Sequence, residues 1–181
     1  IKYEKKFSKN KELIPNKVKI NKSIKTLDSK IKNAIDFAYN RILKFHSKQK
    51  IKNILYKDNL NNKLEYKYVP IQSVGIYVPG NLPSTLLMNA IPAKISGVKR
   101  IILATPKLNG KLNPAVLYAA KKIGIKEIYS MGGAQAIGSL AYIQKVNKII
   151  GPGNFYVTQA KREVFGDVGI EGMIAGPSEI T

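Results

Sequence analysis

The chain has no cysteine, and among its 181 residues it has a single histidine, His46, and only 11 acidic side chains. The absence of cysteine removes disulfides, thiolate zinc sites and thiol nucleophiles together. One histidine without a cluster of carboxylates beside it cannot hold zinc, and no Ser-His-Asp arrangement can be built around it, so His46 reads as a structural residue. No apolar run approaches the length of a membrane span. The opening segment IKYEKKFSKN lacks the apolar core of a signal peptide. The default expectation is a cytoplasmic protein with no membrane contact. Glycine is missing from residues 1–70 altogether, whereas all 14 glycines fall after position 70.

The net charge of +20 raises the question of nucleic acid. Only three of the 31 basic residues are arginines: Arg41, Arg100 and Arg162. Lysine, isoleucine and asparagine are abundant together, as AT-rich codon usage produces. Readers of nucleic acid favour the planar fork of arginine. A solvated lysine surface is therefore the stronger reading, and a basic nucleic-acid-binding protein the weaker. Residues 1–70 hold 19 of the basic side chains and 6 of the acidic ones, so most of the excess lies outside the glycine-containing part.

Residues 27–50 show helical spacing, with Ile31, Ile35, Ala38, Ile42 and Phe45 forming an apolar stripe and Thr26 or Asp28 available as a cap. Residues 58–62 read as a loop and 64–69 as a strand. From Ile71 onward strands begin near 73, 100, 127, 148 and 168, with helices between them. The expected helices are 84–95, capped by Ser84 and kinked or cut short at Pro92, then a helix opened by Asn113-Pro114 and closed by Gly124, then 133–143 with Gly138 as a weak point, and 154–165. The last strand is expected over 168–174. Alternating near-continuous apolar strands and helices define an α/β fold with a parallel sheet covered by helices. Right-handed crossovers put the strand-to-helix turns at one edge of that sheet, where open α/β sheets bind ligands.

Two glycine turns, Gly132-Gly133 and Gly151-Pro152-Gly153, each follow a strand and precede a helix. A helix N-terminus presents unpaired N–H groups and a partial positive charge, and glycine lets an anion approach the backbone. Gln135 and Asn154, just past the turns, offer amide contacts for a dinucleotide. Tyr77 ends the first strand at the same edge, where it reads equally as a packing aromatic. Ser178 and Glu179 follow Gly176-Pro177 in a plausible site position. Neither G-x-G-x-x-G nor the P-loop pattern occurs, and glycines at such turns are common for backbone reasons alone.

The runs VGIYVPG, STLLMNAIPAKISGVKRIILATP, GGAQAIGSLAY, KIIGPGNFYVTQAKREVFG and MIAGPSEI stand in order over residues 74–180. Together they closely resemble the histidinol dehydrogenase family. Upstream, AIDFAYNRILKFHSKQK and YKYVPIQSVGIYVPG look like that family's approach to its first glycine turn. The resemblance implies an NAD-dependent, two-step oxidation of L-histidinol through L-histidinaldehyde to L-histidine, the last step of histidine biosynthesis. It implies Rossmann-like domains, a homodimer and one zinc per active site. Matched by motif, Tyr77, Gln135 and Asn154 fall on NAD-contacting positions and Ser178 on a substrate-contacting one. The implied domains are a lysine-rich helical lead-in over 1–70, a Rossmann-like NAD-binding unit over 71–178, and the start of a return to the first domain at 179–181.

Two departures accompany the resemblance. After VPG the family continues with a second glycine and several small residues, whereas here only Asn81-Leu82-Pro83 intervenes, next to Tyr77. The family's zinc ligands and its Glu-His catalytic pair lie downstream of GPSE, so catalytic and metal residues are expected beyond Thr181 and none in this chain. The expectation is an incomplete enzyme, inactive alone, with a non-catalytic or degenerate nucleotide-binding remnant as the alternative.

Overall fold

The computed structural model describes residues 12–171. Two helices come first, α1 over Lys17–Lys25 and α2 over Ser29–Ser47. Asn16 caps α1 by accepting from Val18 N–H at 2.8 Å, and Asp28 caps α2 by accepting from Lys30 N–H at 2.6 Å. Thr26 sits at the C-terminus of α1, so Asp28 alone is the cap of α2. A hairpin follows, β1 over Ile54–Lys57 and β2 over Lys63–Tyr66. Its turn is held by the Asp58 carboxylate, which accepts from the backbone N–H groups of Leu60 and Asn62 and from the Asn62 amide.

The remaining elements are β3 Ser73–Tyr77, α3 Pro83–Ile95, β4 Arg100–Ala104, α4 Pro114–Ile123, β5 Glu127–Tyr129, α5 Gly133–Gly138, β6 Lys148–Ile150, α6 Phe155–Glu163 and β7 Gly169–Ile170. The strands β5-β4-β3-β6-β7 form one sheet in that order, parallel throughout. Strand order reverses between β3 and β6, which makes the carboxyl ends of those two strands the topological switch point of the sheet.

Period-two alternation assigns the strand side chains to two faces. Val74, Ile76 and Leu103 join the cluster containing Leu86, Leu87, Ile91, Val116 and Ala119 of α3 and α4. Tyr77, Ile102, Ala104 and Ile149 join the other cluster, with Ala136, Ile137, Leu140 and Val157 of α5 and α6. The result is three layers, helix–sheet–helix. Ile76, Leu86 and Leu103 are fully buried, each worth roughly 1.5–3 kcal/mol of transfer free energy. Ile24 of α1 and Ile35 of α2 belong to the α3–α4 cluster, so the N-terminal helices pack over that layer.

Several local expectations need correction. The stripe on α2 runs through Ile35, Ala38, Tyr39, Ile42 and Leu43, while Phe45 is 62% and Ile31 45% exposed. The strand expected over 64–69 is Lys63–Tyr66, paired with β1, a strand the sequence pattern does not announce. α1 likewise lies outside the expected elements. Ser84 does not cap α3: Pro83 occupies its first turn and Leu82 precedes it without a side-chain cap. Pro92 does not end α3, which continues to Ile95. The helix starting at Gly133 widens after Gly138 into a π-helical turn over Ser139–Ile143. Asn113, Pro114 and left-handed Gly124 (φ 92°) bound α4 as expected. Of the last strand, Gly169–Ile170 pairs with β6, and 172–174 lie outside the described residues.

Candidate functional site

The C-terminal ends of β3 and β6, with the glycine turns that follow β5 and β6, gather around Tyr77. Tyr77 is the last residue of β3 and 6% exposed. Its hydroxyl accepts from Gly133 N–H at a long 3.4 Å. Its carbonyl oxygen lies where a Cβ on Gly151 would be. The residue therefore touches one glycine turn with its side chain and the other with its backbone.

Gln135 is the third residue of α5, and its side-chain oxygen sits 3.1 Å from the position a Cβ on Gly133 would take. Tyr77 and Gln135 thus converge on one turn. Asn154 is the N-cap of α6, its side-chain oxygen accepting from Val157 N–H at 3.1 Å. The capping bond is made by the carboxamide oxygen and does not involve the carboxamide nitrogen. α5 and α6 share one core cluster on one face of the sheet, so Gln135 and Asn154 open the same layer. Ser178 and Glu179 lie outside the described residues. His46 is on α2, bonded through Nδ1 to Gln49 Oε1 at 2.6 Å, and takes no part in this edge.

The glycines have internal reasons to be glycine. A Cβ on Gly132 would stand 2.8 Å from Pro106 Cβ, and one on Gly153 would overlap the Val157 side chain. Gly133 and Gly151 have φ of 62° and 111°, the left-handed region that disfavours a side chain. Close packing of strand ends and helix starts explains these turns without a ligand. The same packing leaves the α5 and α6 N-termini at one edge.

Three features of the edge escape a reading of the sequence. The chain preceding α1 crosses it: Ser130 N–H donates to the Leu13 carbonyl at 2.7 Å, the Ser130 hydroxyl reaches the Glu12 carbonyl, and Lys107 Nζ donates to that same carbonyl at 3.3 Å. The Thr105 hydroxyl, just past β4, is buried without a hydrogen-bond partner among the described residues. Buried side-chain hydroxyls are in the large majority hydrogen-bonded, which sets Thr105 apart. Lys161 and Glu171 bind Gly151: Glu171 accepts from its N–H at 2.8 and 2.9 Å, and Lys161 donates to its carbonyl and to Glu171 at 2.5 Å. One signal is available for Lys161, which falls with Val157 and Val164 at helical spacing on the buried face of α6.

Zinc does not fit here. Among the described residues no three His, Cys, Asp or Glu side chains converge as a metal would need. The edge does bring together a phenol hydroxyl, two carboxamides and two glycine-led helix starts.

An all-parallel sheet reversing between β3 and β6, with helix starts gathered at its carboxyl edge, defines a protein of the Rossmann-like α/β class. The family model described as histidinol dehydrogenase matches residues 1–181. A histidinol dehydrogenase from Pelagibacter ubique is 64% identical over 188 residues, covering all of this chain and 44% of the relative. Histidinol dehydrogenase 1 from Trichormus variabilis is 54% identical over 84% of this chain and 37% of its own length. The crystal structure of histidinol dehydrogenase from Elizabethkingia anophelis superposes with a TM-score of 0.92 at 40% identity, covering 98% of this chain and 43% of that one. The chain belongs to the histidinol dehydrogenase family, and it spans less than half the length of these relatives. No helix among the described residues is long and apolar enough to cross a membrane.

Proposed function

We propose that this chain supplies the NAD-binding side of a histidinol dehydrogenase, which oxidises L-histidinol to L-histidinaldehyde and then to L-histidine. The observation that carries the reading is the convergence of both glycine turns on Tyr77, at the switch point of a parallel sheet. NAD, when bound, supplies the hydride acceptor. Gln135 and the Asn154 carboxamide nitrogen orient its polar groups, the Tyr77 hydroxyl meets them at the Gly133 turn, and the α5 and α6 starts favour its negative charge. Tyr77, Gln135 and Asn154 are the cofactor contacts of this reading, and Ser178 its substrate contact.

The base, the zinc ligands and most of the substrate pocket belong, on this reading, to the part that longer relatives carry and this chain does not match. General-base catalysis requires a group of suitable pKa within reach of the substrate hydroxyl. A homodimer and a cytoplasmic location complete the proposal. The test is NADH formation from L-histidinol, with and without added zinc. Residues 1–181 alone are expected to give none while still binding NAD⁺. The protein at its full encoded length is expected to turn over. Turnover by residues 1–181 alone would place the catalytic groups inside this chain and overturn the division of labour.

A further inference from the structure

Lys161 occupies a position where the pattern of α6 calls for an apolar residue. Val157, Lys161 and Val164 lie at helical spacing, and all three are buried, Lys161 at 8% exposure. An ammonium taken out of water needs a partner and full hydrogen bonding. Lys161 finds both at the second glycine turn: the Glu171 carboxylate at 2.5 Å and the Gly151 carbonyl oxygen. Helical side chains lean toward the helix N-terminus, which carries Lys161 back up α6 to the turn that starts it. Glu171 in turn accepts from Gly151 N–H through both oxygens. One ion pair thus holds both polar groups of Gly151.

The location gives that grip a consequence. The last ladder pair between β3 and β6 is Ile76 with Ile150. One residue further, Tyr77 and Gly151 are in backbone contact outside the ladder. We propose that Lys161 and Glu171 are positioning residues of the dinucleotide crevice. They fix the Gly151 peptide, and so hold the turn leading to Asn154 at a set distance from Tyr77. The inference rests on the cofactor reading given above.

The experiment measures NAD⁺ affinity by calorimetry, Gly151 amide exchange by NMR, and melting temperature, in the protein at its full encoded length. The variants are K161M, K161R and E171Q. K161M and E171Q are expected to lose Gly151 protection and to bind NAD⁺ about tenfold more weakly. K161R, which keeps the charge and both donors, is expected to recover most of the affinity. The melting temperature of K161M is expected to fall only modestly, because Glu171, about one-third exposed, stays solvated when its ammonium partner is removed. Unchanged NAD⁺ affinity in folded K161M and E171Q overturns the proposal. So does weakening that tracks a lowered melting temperature and is not recovered by K161R. If K161M fails to fold, E171Q alone decides, since Glu171 is one-third exposed and its replacement remains solvated. A parent protein that binds no NAD⁺ refutes the cofactor reading before any substitution is compared, and this proposal falls with it.

Discussion

The carbonyl oxygen of Tyr77 occupies the space that any side chain on Gly151 would have to enter. Gly151 also has φ 111°, so replacement meets both a backbone overlap and an unfavourable conformation. Gly110 separates the two effects: its φ is 76°, but nothing lies within 4 Å of where a methyl group on it would stand. Gly110→Ala is expected to cost about 1 kcal/mol, the conformational term alone. Gly151→Ala is expected to cost more than about 3 kcal/mol, because β3 and β6 must part at the switch point. Urea unfolding of the two variants checks this, and equal losses would show that the Tyr77 contact contributes nothing.

The strand positions were legible because each buried strand is a short apolar run set off by turn residues. RIILAT marks β4 at Arg100–Ala104, and Lys148–Ile150 matches β6 to the residue. Asn113-Pro114 and Gly124 bound α4 because capping is a local matter of one side chain and one φ angle. The hairpin is half-hidden for a physical reason. All eight residues of β1 and β2 are exposed, so they carry no buried-face alternation to read. α1 is weakly apolar, with Ile24 its one buried residue. At the site, motif spacing points to Tyr77, Gln135 and Asn154. It cannot reveal that Glu12 and Leu13 return to Ser130 across more than a hundred residues, or that Glu171 grips Gly151. Those contacts are set by the sheet order, which no local pattern encodes.

Asn154 combines a cap with a proposed cofactor contact, and substitution can divide them. Asn154→Ala removes the bond to Val157 N–H and is expected to lower stability by about 1 kcal/mol. Asn154→Ser keeps a capping oxygen but has no amide nitrogen. It is expected to retain stability to within about 0.5 kcal/mol while NAD⁺ binding weakens about fivefold. Thermal melts and calorimetry on both variants test the division. Full NAD⁺ affinity in Asn154→Ser would reduce Asn154 to a cap.

Alkaline stability tests the packing of α2 on α4. The Tyr118 hydroxyl donates to both oxygens of Asp36, at 3.1 and 3.0 Å, and Lys122 pairs with the same carboxylate at 3.0 Å. Burial pushes the Tyr118 phenol above its ordinary value, and the bond to Asp36 and the charge of Asp36 push it further. The folded state therefore holds this proton more tightly than the unfolded chain. The contribution is full below the ordinary tyrosine value of about 10 and is lost as pH rises through the raised folded value. Asp36 raises Lys122 and Asp167 raises Tyr142, both of which steepen the same decline. Tyr118→Phe is expected to lose about 1 kcal/mol at neutral pH and to show a shallower fall above about pH 10. Urea midpoints across that range check it, and an unchanged alkaline slope would contradict the assignment.

Tyr77 offers the cleanest separation of packing from ligand contact. Its ring is buried among the residues of the α5–α6 cluster, and only the hydroxyl reaches the Gly133 turn. At 3.4 Å that hydrogen bond is too long to contribute much to folding. Tyr77→Phe preserves the ring, so stability is expected to change by less than about 1 kcal/mol. The hydroxyl stands beside the first N–H of α5, where the proposed dinucleotide brings polar groups. Its loss is expected to weaken NAD⁺ binding about fivefold to tenfold. Tyr77→Ala, by contrast, empties the ring's place in the α5–α6 cluster and is expected to cost about 3–5 kcal/mol. If Tyr77→Phe binds NAD⁺ as the parent does, the residue serves the sheet edge by filling volume, and the hydroxyl has no part in recognition.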